Sequence, residues 1–213
     1  MRRFLILTGR EIRDHAGYFV AAVLVSALAI GLLTSLALEY SQKAMVQISV
    51  AGLIPETIML GLGFYAFGTG QMYADRTRNL SAFLTALPVG RGQIFLARVF
   101  AGVLGLLLFL VPVTIAAAVL LELRVPPVPL YRGLLPDLFA GVFLTCLACY
   151  SIGLYAGWSS RAVLVTVGAL LLVVLVPLLL VIKGFGAELV VILLLFVTAS
   201  LTATWYRFSS SSL

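Results

Sequence analysis

The stretch YADRTRNLSAFLTALPVGRGQIFLAR, residues 73–98, decides how the chain is read. It carries four arginines, Arg76, Arg78, Arg91 and Arg98, and lies between two long apolar runs. The chain around it has 213 residues, 62% of them hydrophobic and 10% charged. A soluble globular domain carries about 45–50% apolar and roughly 25% charged residues. Long apolar runs broken by short charged stretches read as membrane-spanning helices joined by loops. Residues 73–98 are then a loop on one membrane face, and the arginines say which face.

Working outward, runs of about 20 mostly apolar residues predict six spans. They cover 18–38, 51–73, 99–121, 135–158, 162–182 and 187–206. The second carries Pro55 and Glu56 near its start, and only KGFGAE separates the last two. On the side of the N-terminus fall Arg2, Arg3, Arg10, Arg13, Arg76, Arg78, Arg91, Arg98, Arg161 and Arg207. The other side holds Lys43, Arg124, Arg132 and Lys183. Ten against four places both termini and residues 73–98 in the cytoplasm by the positive-inside rule. Tyr18, Tyr73, Trp158, Trp205 and Tyr206 fall at the cytoplasmic helix ends, as an interfacial aromatic belt requires. The net charge of +6 is spread over these ends, not gathered on one face, so it does not indicate a nucleic-acid partner.

Within the loop, Leu80, Phe83, Leu84 and Leu87 repeat at i, i+3, i+4 and i+7, the pattern of an amphipathic helix. Asn79 can cap its start and Pro88 ends it. A helix this short is marginal alone and must pack on the membrane, on its own spans or on a partner. The same pattern also fits an ordinary interfacial loop helix. The N-terminal segment, residues 1–17, reads as a helix lying in the headgroup plane. Met1, Phe4, Leu5, Ile12 and Ala16 take one side, and Arg3, Arg10, Arg13 and Asp14 the other. A simple basic tail that sets topology is the plainer alternative. Its apolar run, Phe4 to Leu7, is too short for a signal-peptide core, so the segment is expected to remain on the mature chain.

RTRNLSAFLTALPVGRGQIFLARV resembles the cytoplasmic loop of ABC-2 type permeases, the membrane subunits of ATP-driven transporters. In that family a short amphipathic helix ends in LPVSR or similar, with a basic residue before the third span. Here Leu87-Pro88-Val89-Gly90-Arg91 takes that place, with Ile94 and Arg98 following. The family often has a glutamate and a Gly-Thr pair before the helix, where this chain has Asp75, Arg76, Thr77 and Arg78. REIRDH resembles the basic helix preceding the family's first span.

The resemblance implies an all-α integral membrane protein, a single transmembrane domain over residues 1–213. It would have six transmembrane helices, an interfacial helix at 1–17 and a cytoplasmic coupling loop at 74–98. Asn79, Leu80, Phe83, Leu84, Leu87, Pro88 and Arg91 would dock into a separate ATP-binding subunit. Two such subunits, carrying ATP and Mg, would serve two permease chains, either two copies of this one or this one with a relative. The location implied is the bacterial inner (plasma) membrane, with lipids as further partners, and the family mostly exports. The haem-exporter B subunits of cytochrome c maturation share the length and the six-span plan and form a narrower alternative.

Other residues carry less. Glu56, with Thr57 beside it, is a candidate for the path a cargo takes, because an ionisable group at membrane depth is functional by default. Glu122, Asp137 and Glu188 read as outer-interface residues. GLGFYAFGTG, residues 61–70, reads as a close-packing helix face. Cys146 and Cys149 sit in an apolar run and read as small core residues, with no disulfide framework and no metal site. No GxxxxGK[ST] loop occurs, so ATP is not bound here in that way, and no cofactor is expected in this chain. An intramembrane enzyme, such as a lipid-modifying transferase, needs converging acid, base or metal groups. The eight acids and the single His15 are scattered, and no HExxH exists, which argues against catalysis. A structural membrane subunit needs no particular residues and stays open.

Overall fold

The computed structural model of the chain describes residues 2–39, 42–77, 90–124, 129–158, 162–183 and 186–210. Among these the chain is all helical. α1 is Arg2–Asp14, α2 Ala16–Glu39, α3 Gln42–Thr77, α4 Arg91–Arg124, α5 Pro129–Trp158, α6 Ala162–Lys183 and α7 Ala187–Ser210. Among the described residues four stretches are long and apolar enough to cross a membrane: Ala16–Ser35, Arg91–Leu120, Pro136–Trp158 and Ala187–Ser210. In α6 the stretch meeting the apolar measure is the shorter Val165–Leu178.

Only His15 separates α1 from α2; its amide donates to the Glu11 carbonyl at 3.1 Å and its carbonyl accepts from Tyr18 at 2.9 Å. Several helices outrun their expected spans, α3 and α4 the most. α3 continues to Thr77 and α4 already begins at Arg91, so the first two turns of α4 occupy what reads in sequence as the end of a loop, residues 91–98. Arginine and glutamine are good helix formers, and a polar residue does not stop a helix where an apolar run stops. Pro55, Pro112, Pro136 and Pro177 lie inside helices, which membrane helices tolerate because neighbours satisfy the freed carbonyls.

α5 is the centre of the bundle and packs most extensively on α3, then on α7 and α6. Gly61 meets Cys149, Tyr65 meets Gly153 and Thr69 meets Gly157, so α3 and α5 run parallel with contacts every four residues. A methyl group at Gly157 would stand 2.6 Å from the Thr69 carbonyl oxygen, and one at Gly153 would collide with the Tyr65 carbonyl. The Thr69 hydroxyl also lies 3.3 Å from the Gly153 carbonyl oxygen. Such small-residue stripes let backbones touch, which is how helices associate where the surroundings are as apolar as leucine. Cys146 and Cys149 are fully buried free thiols in this core. α2, by contrast, leans on α4 and touches α3 little.

Candidate functional site

The functional geometry concentrates at one end of the bundle. There α1, the end of α3, the start of α4 and the ends of α5 and α7 meet, and Arg98 is the point they share. On α4 the residues Arg91, Ile94, Phe95, Arg98, Ala101 and Gly102 recur at three- and four-residue spacing, so they form one face. That face turns inward: Ile94, Phe95 and Ala101 are buried, and Arg98 is only 1% exposed. An arginine there must be paired, because an uncompensated buried charge costs several kcal/mol.

The pairing reaches four other helices. Arg98 Nε lies 3.2 Å from Glu11 Oε1 of α1, in an ion pair whose acid is half-buried. Arg98 Nη1 points at Met72 Sδ of α3 at 3.4 Å. Its Cζ lies 5.8 Å from the Phe208 ring centroid of α7, within cation–π range. The Arg98 carbonyl oxygen lies 2.9 Å from the Tyr150 hydroxyl of α5. That hydroxyl is also 2.6 Å from Gln71 Oε1 of α3, so one proton is shared between two acceptors. Gln71 Nε2 is buried and has no hydrogen-bond partner among the described residues. The Tyr150 ring occupies the space beside Gly102, where any side chain would strike it. An aromatic layer surrounds the knot, with Phe67 against His15, Tyr18, Phe19 and Tyr150, and Phe208 against Phe95, Trp158 and Trp205.

The expected site residues fall as follows. Asn79, Leu80, Phe83, Leu84, Leu87 and Pro88 lie outside the described residues. Arg91 opens α4, after Gly90 accepts the first backbone bonds of that helix. Its Nη1 donates to the Ser209 carbonyl at 2.9 Å, so it ties α4 to the last turn of α7. A cation there also meets the negative end of a helix. Arg3 lies on α1. Arg10 pairs with Asp14 at 3.3 Å on the exposed side, and Arg13 is exposed. The inward side of α1 carries Thr8 and Glu11 with Leu7, while Leu5 and Ile6 are exposed. This differs from the expected split, which grouped Leu5 with Ile12: the acid needed by Arg98 decides which side faces in. Glu56 is exposed and Thr57 is buried, so these neighbours on α3 look different ways. Glu122, Asp137 and Glu188 are all exposed.

Arg98 and Glu11 were missed as a pair because they lie 87 residues apart. The available signal was the α4 face: an arginine in register with Ile94, Phe95, Ala101 and Gly102 is an arginine aimed at the bundle. Among the described residues no three of His, Cys, Asp and Glu come together to hold a metal ion. Through these contacts, a displacement of the start of α4 would strain α1, α3, α5 and α7 together. Comparisons with family models, curated proteins and solved structures found no match to this chain.

Proposed function

We propose that this chain is the membrane-spanning permease subunit of an ATP-driven exporter of the ABC-2 type, resident in the bacterial inner membrane. In this reading α2 to α7 cross the bilayer six times, both termini are cytoplasmic, and α1 lies along the cytoplasmic interface. Residues 79–88 dock into a separate ATP-binding subunit, and a second permease chain completes the pathway. A membrane element with two arrangements is biased by whatever binds them differently, and ATP on the partner supplies that difference.

One observation carries the reading. The arginine-rich stretch feeds straight into a helix start that is tied to four other helices, through Glu11, Met72, Tyr150 and Phe208. A pull on residues 78–90 therefore has a stiff point of application. The gathering of Arg10, Arg13, Arg91, Arg98 and Arg207 with that end supports a cytoplasmic side.

The test is affinity purification of the tagged chain in mild detergent, followed by ATPase assay of the complex in lipid. The expected result is co-purification of an ATP-binding protein whose hydrolysis depends on the permease. Phe83→Asp should leave insertion intact and weaken that complex at least tenfold, about 1.4 kcal/mol or more. A complex that survives Phe83→Asp with normal activity would reduce residues 79–87 to an interfacial loop helix.

A further inference from the structure

The helices fall into two groups by how they touch. α2 packs along α4, and α1 packs on the start of α4, where Glu11 meets Arg98 at 3.2 Å. α3, α5, α6 and α7 form the second group, with α5 at its centre. Contact between the groups is thinner, and α2 touches α3 little. The seams also differ in construction. Within the second group α3 and α5 meet backbone to backbone: a methyl group at Gly68 would stand 2.5 Å from the Tyr150 carbonyl oxygen and 3.0 Å from the Leu154 nitrogen. A seam that close leaves no room to slide. Beyond Gly102, α4 meets α5 through side chains instead, with Leu106, Phe109 and Leu110 against Val142 and Cys146. Layers of that kind permit the small sliding of packed helices that makes a shear movement.

α2 and α3 touch at one end and part at the other. The Tyr18 hydroxyl lies 3.3 Å from the Cβ position of Gly70, and the Tyr18 and Phe67 ring centroids are 4.8 Å apart. About two turns further along α3, no described atom lies within 4 Å of the Cβ position of Gly63. There an apolar V opens between Val25 of α2 and Met59 of α3. Its narrow end lies at the knot, since Phe67 also stands 5.8 Å from the Tyr150 ring. The polar ties between the two groups gather at that same end: Arg98 to Met72, the Arg98 carbonyl to Tyr150, and Arg91 to Ser209.

We propose that α1, α2 and α4 swing as one arm against α3, α5, α6 and α7, with the pivot where the Tyr150 ring fills the space beside Gly102. The V between α2 and α3 is what the swing opens and closes. The proposal rests on the membrane-spanning part of the reading above and not on ATP coupling. Lipid tails are as apolar as the walls of the V, so the hydrophobic effect holds it neither open nor shut. Packing alone then separates the two arrangements, which is the condition for both to be populated. Leu28 lies about 15 Å along α2 from Tyr18, so a swing of about 20° moves it by about 5 Å.

The test is pulsed electron–electron resonance on the full chain in phosphatidylcholine vesicles, with Cys146→Ala and Cys149→Ala as background. Excess unlabelled chain removes distances between copies. Spin labels go on Leu28→Cys with Met59→Cys across the V, on Leu28→Cys with Val111→Cys within the arm, and on Met59→Cys with Leu175→Cys within the other group. All four positions are exposed. The pair across the V should show two distances about 5 Å apart, and each pair within a group only one. Gly63→Trp should leave only the longer distance across the V, and Val25→Trp should do the same from the opposite wall. A single distance for all three pairs would mean a rigid bundle and overturn the proposal. Two distances for Leu28 with Val111 would mean that α2 moves without α4, and overturn it as well. So would two distances that persist with the V filled. No ATP-binding protein is present in these vesicles, so the result stands apart from the co-purification that tests the transporter reading.

Discussion

α2 and α5 are both apolar helices of membrane-crossing length, and they live in opposite surroundings. In α5 67% of the spanning window is buried; in α2 the figure is 6%. Yet the buried helix is the less hydrophobic, with mean hydropathy 1.8 against 2.3. Small residues, Thr145, Cys146, Ala148, Cys149, Ser151, Gly153 and Gly157, are buried on α5 beside the larger Leu144, Tyr150, Ile152 and Leu154. α2 shows Val20, Leu24, Leu28 and Leu32 to its surroundings. In water the greasiest face turns inward. Where the surroundings are lipid, apolar bulk gains nothing by hiding, and close backbone approach through small residues organises the bundle.

The sharpest way to break this contrast is to add bulk to each helix. Gly153→Leu drives a side chain into the α3 backbone and should cost about 3 kcal/mol or more, at the upper end of overpacking penalties. Little monodisperse protein should survive size-exclusion chromatography in detergent. Gly31→Leu in α2, where no described atom lies within 4 Å, should match the wild type. Equal yields from the two variants would dissolve the distinction between core and lipid-facing helix.

A smaller effect is expected at the ion pair. Arg98→Ala takes the arginine from Glu11 and leaves it only His15 at 3.7 Å, and breaking such a pair costs roughly 3 kcal/mol. The acid is half-buried, so part of that is recovered through water. Thermal unfolding in detergent should show a clear drop for Arg98→Ala, and Glu11→Gln should lose little more once Arg98 is gone. Additive losses in this double-mutant cycle would mean that the two residues act apart.

The smallest effect belongs to the Tyr150 hydroxyl. Tyr150→Phe keeps the ring over Gly102 and removes one buried donor, worth about 1 kcal/mol. A melting shift as large as that of Arg98→Ala would make the hydroxyl, not the ion pair, the centre of the knot.

Helix positions were legible in sequence wherever apolar runs end abruptly. α2 was expected over 18–38 and spans 16–39; α6 was expected over 162–182 and spans 162–183. α3 and α4 were read short, because Asp75, Arg76 and Arg98 look like the edge of a membrane although none of them ends a helix. Arg98 was read as an interface charge by counting, and counting ignores the side of the helix on which a residue falls. The inward side of α1 was misjudged because apolarity stood in for burial, while Glu11 had a distant base to meet. The parallel pairing of α3 with α5 had a local trace in GLGFYAFGTG, but its counterpart, Cys149, Gly153 and Gly157, is spaced every four residues and becomes a stripe only once the helix is built.

The knot around Arg98 also has a history in time. Its acid, Glu11, is made before Arg98, and Phe208 of α7 well after it. A ribosome delivers them in that order, so the arginine meets its countercharge long before its aromatic cover. The bundle can close around that charge only when the final turn of α7 has left the ribosome. Removing Phe208 with the last turn of α7 would therefore act on the folding of the whole bundle, as a keystone withheld.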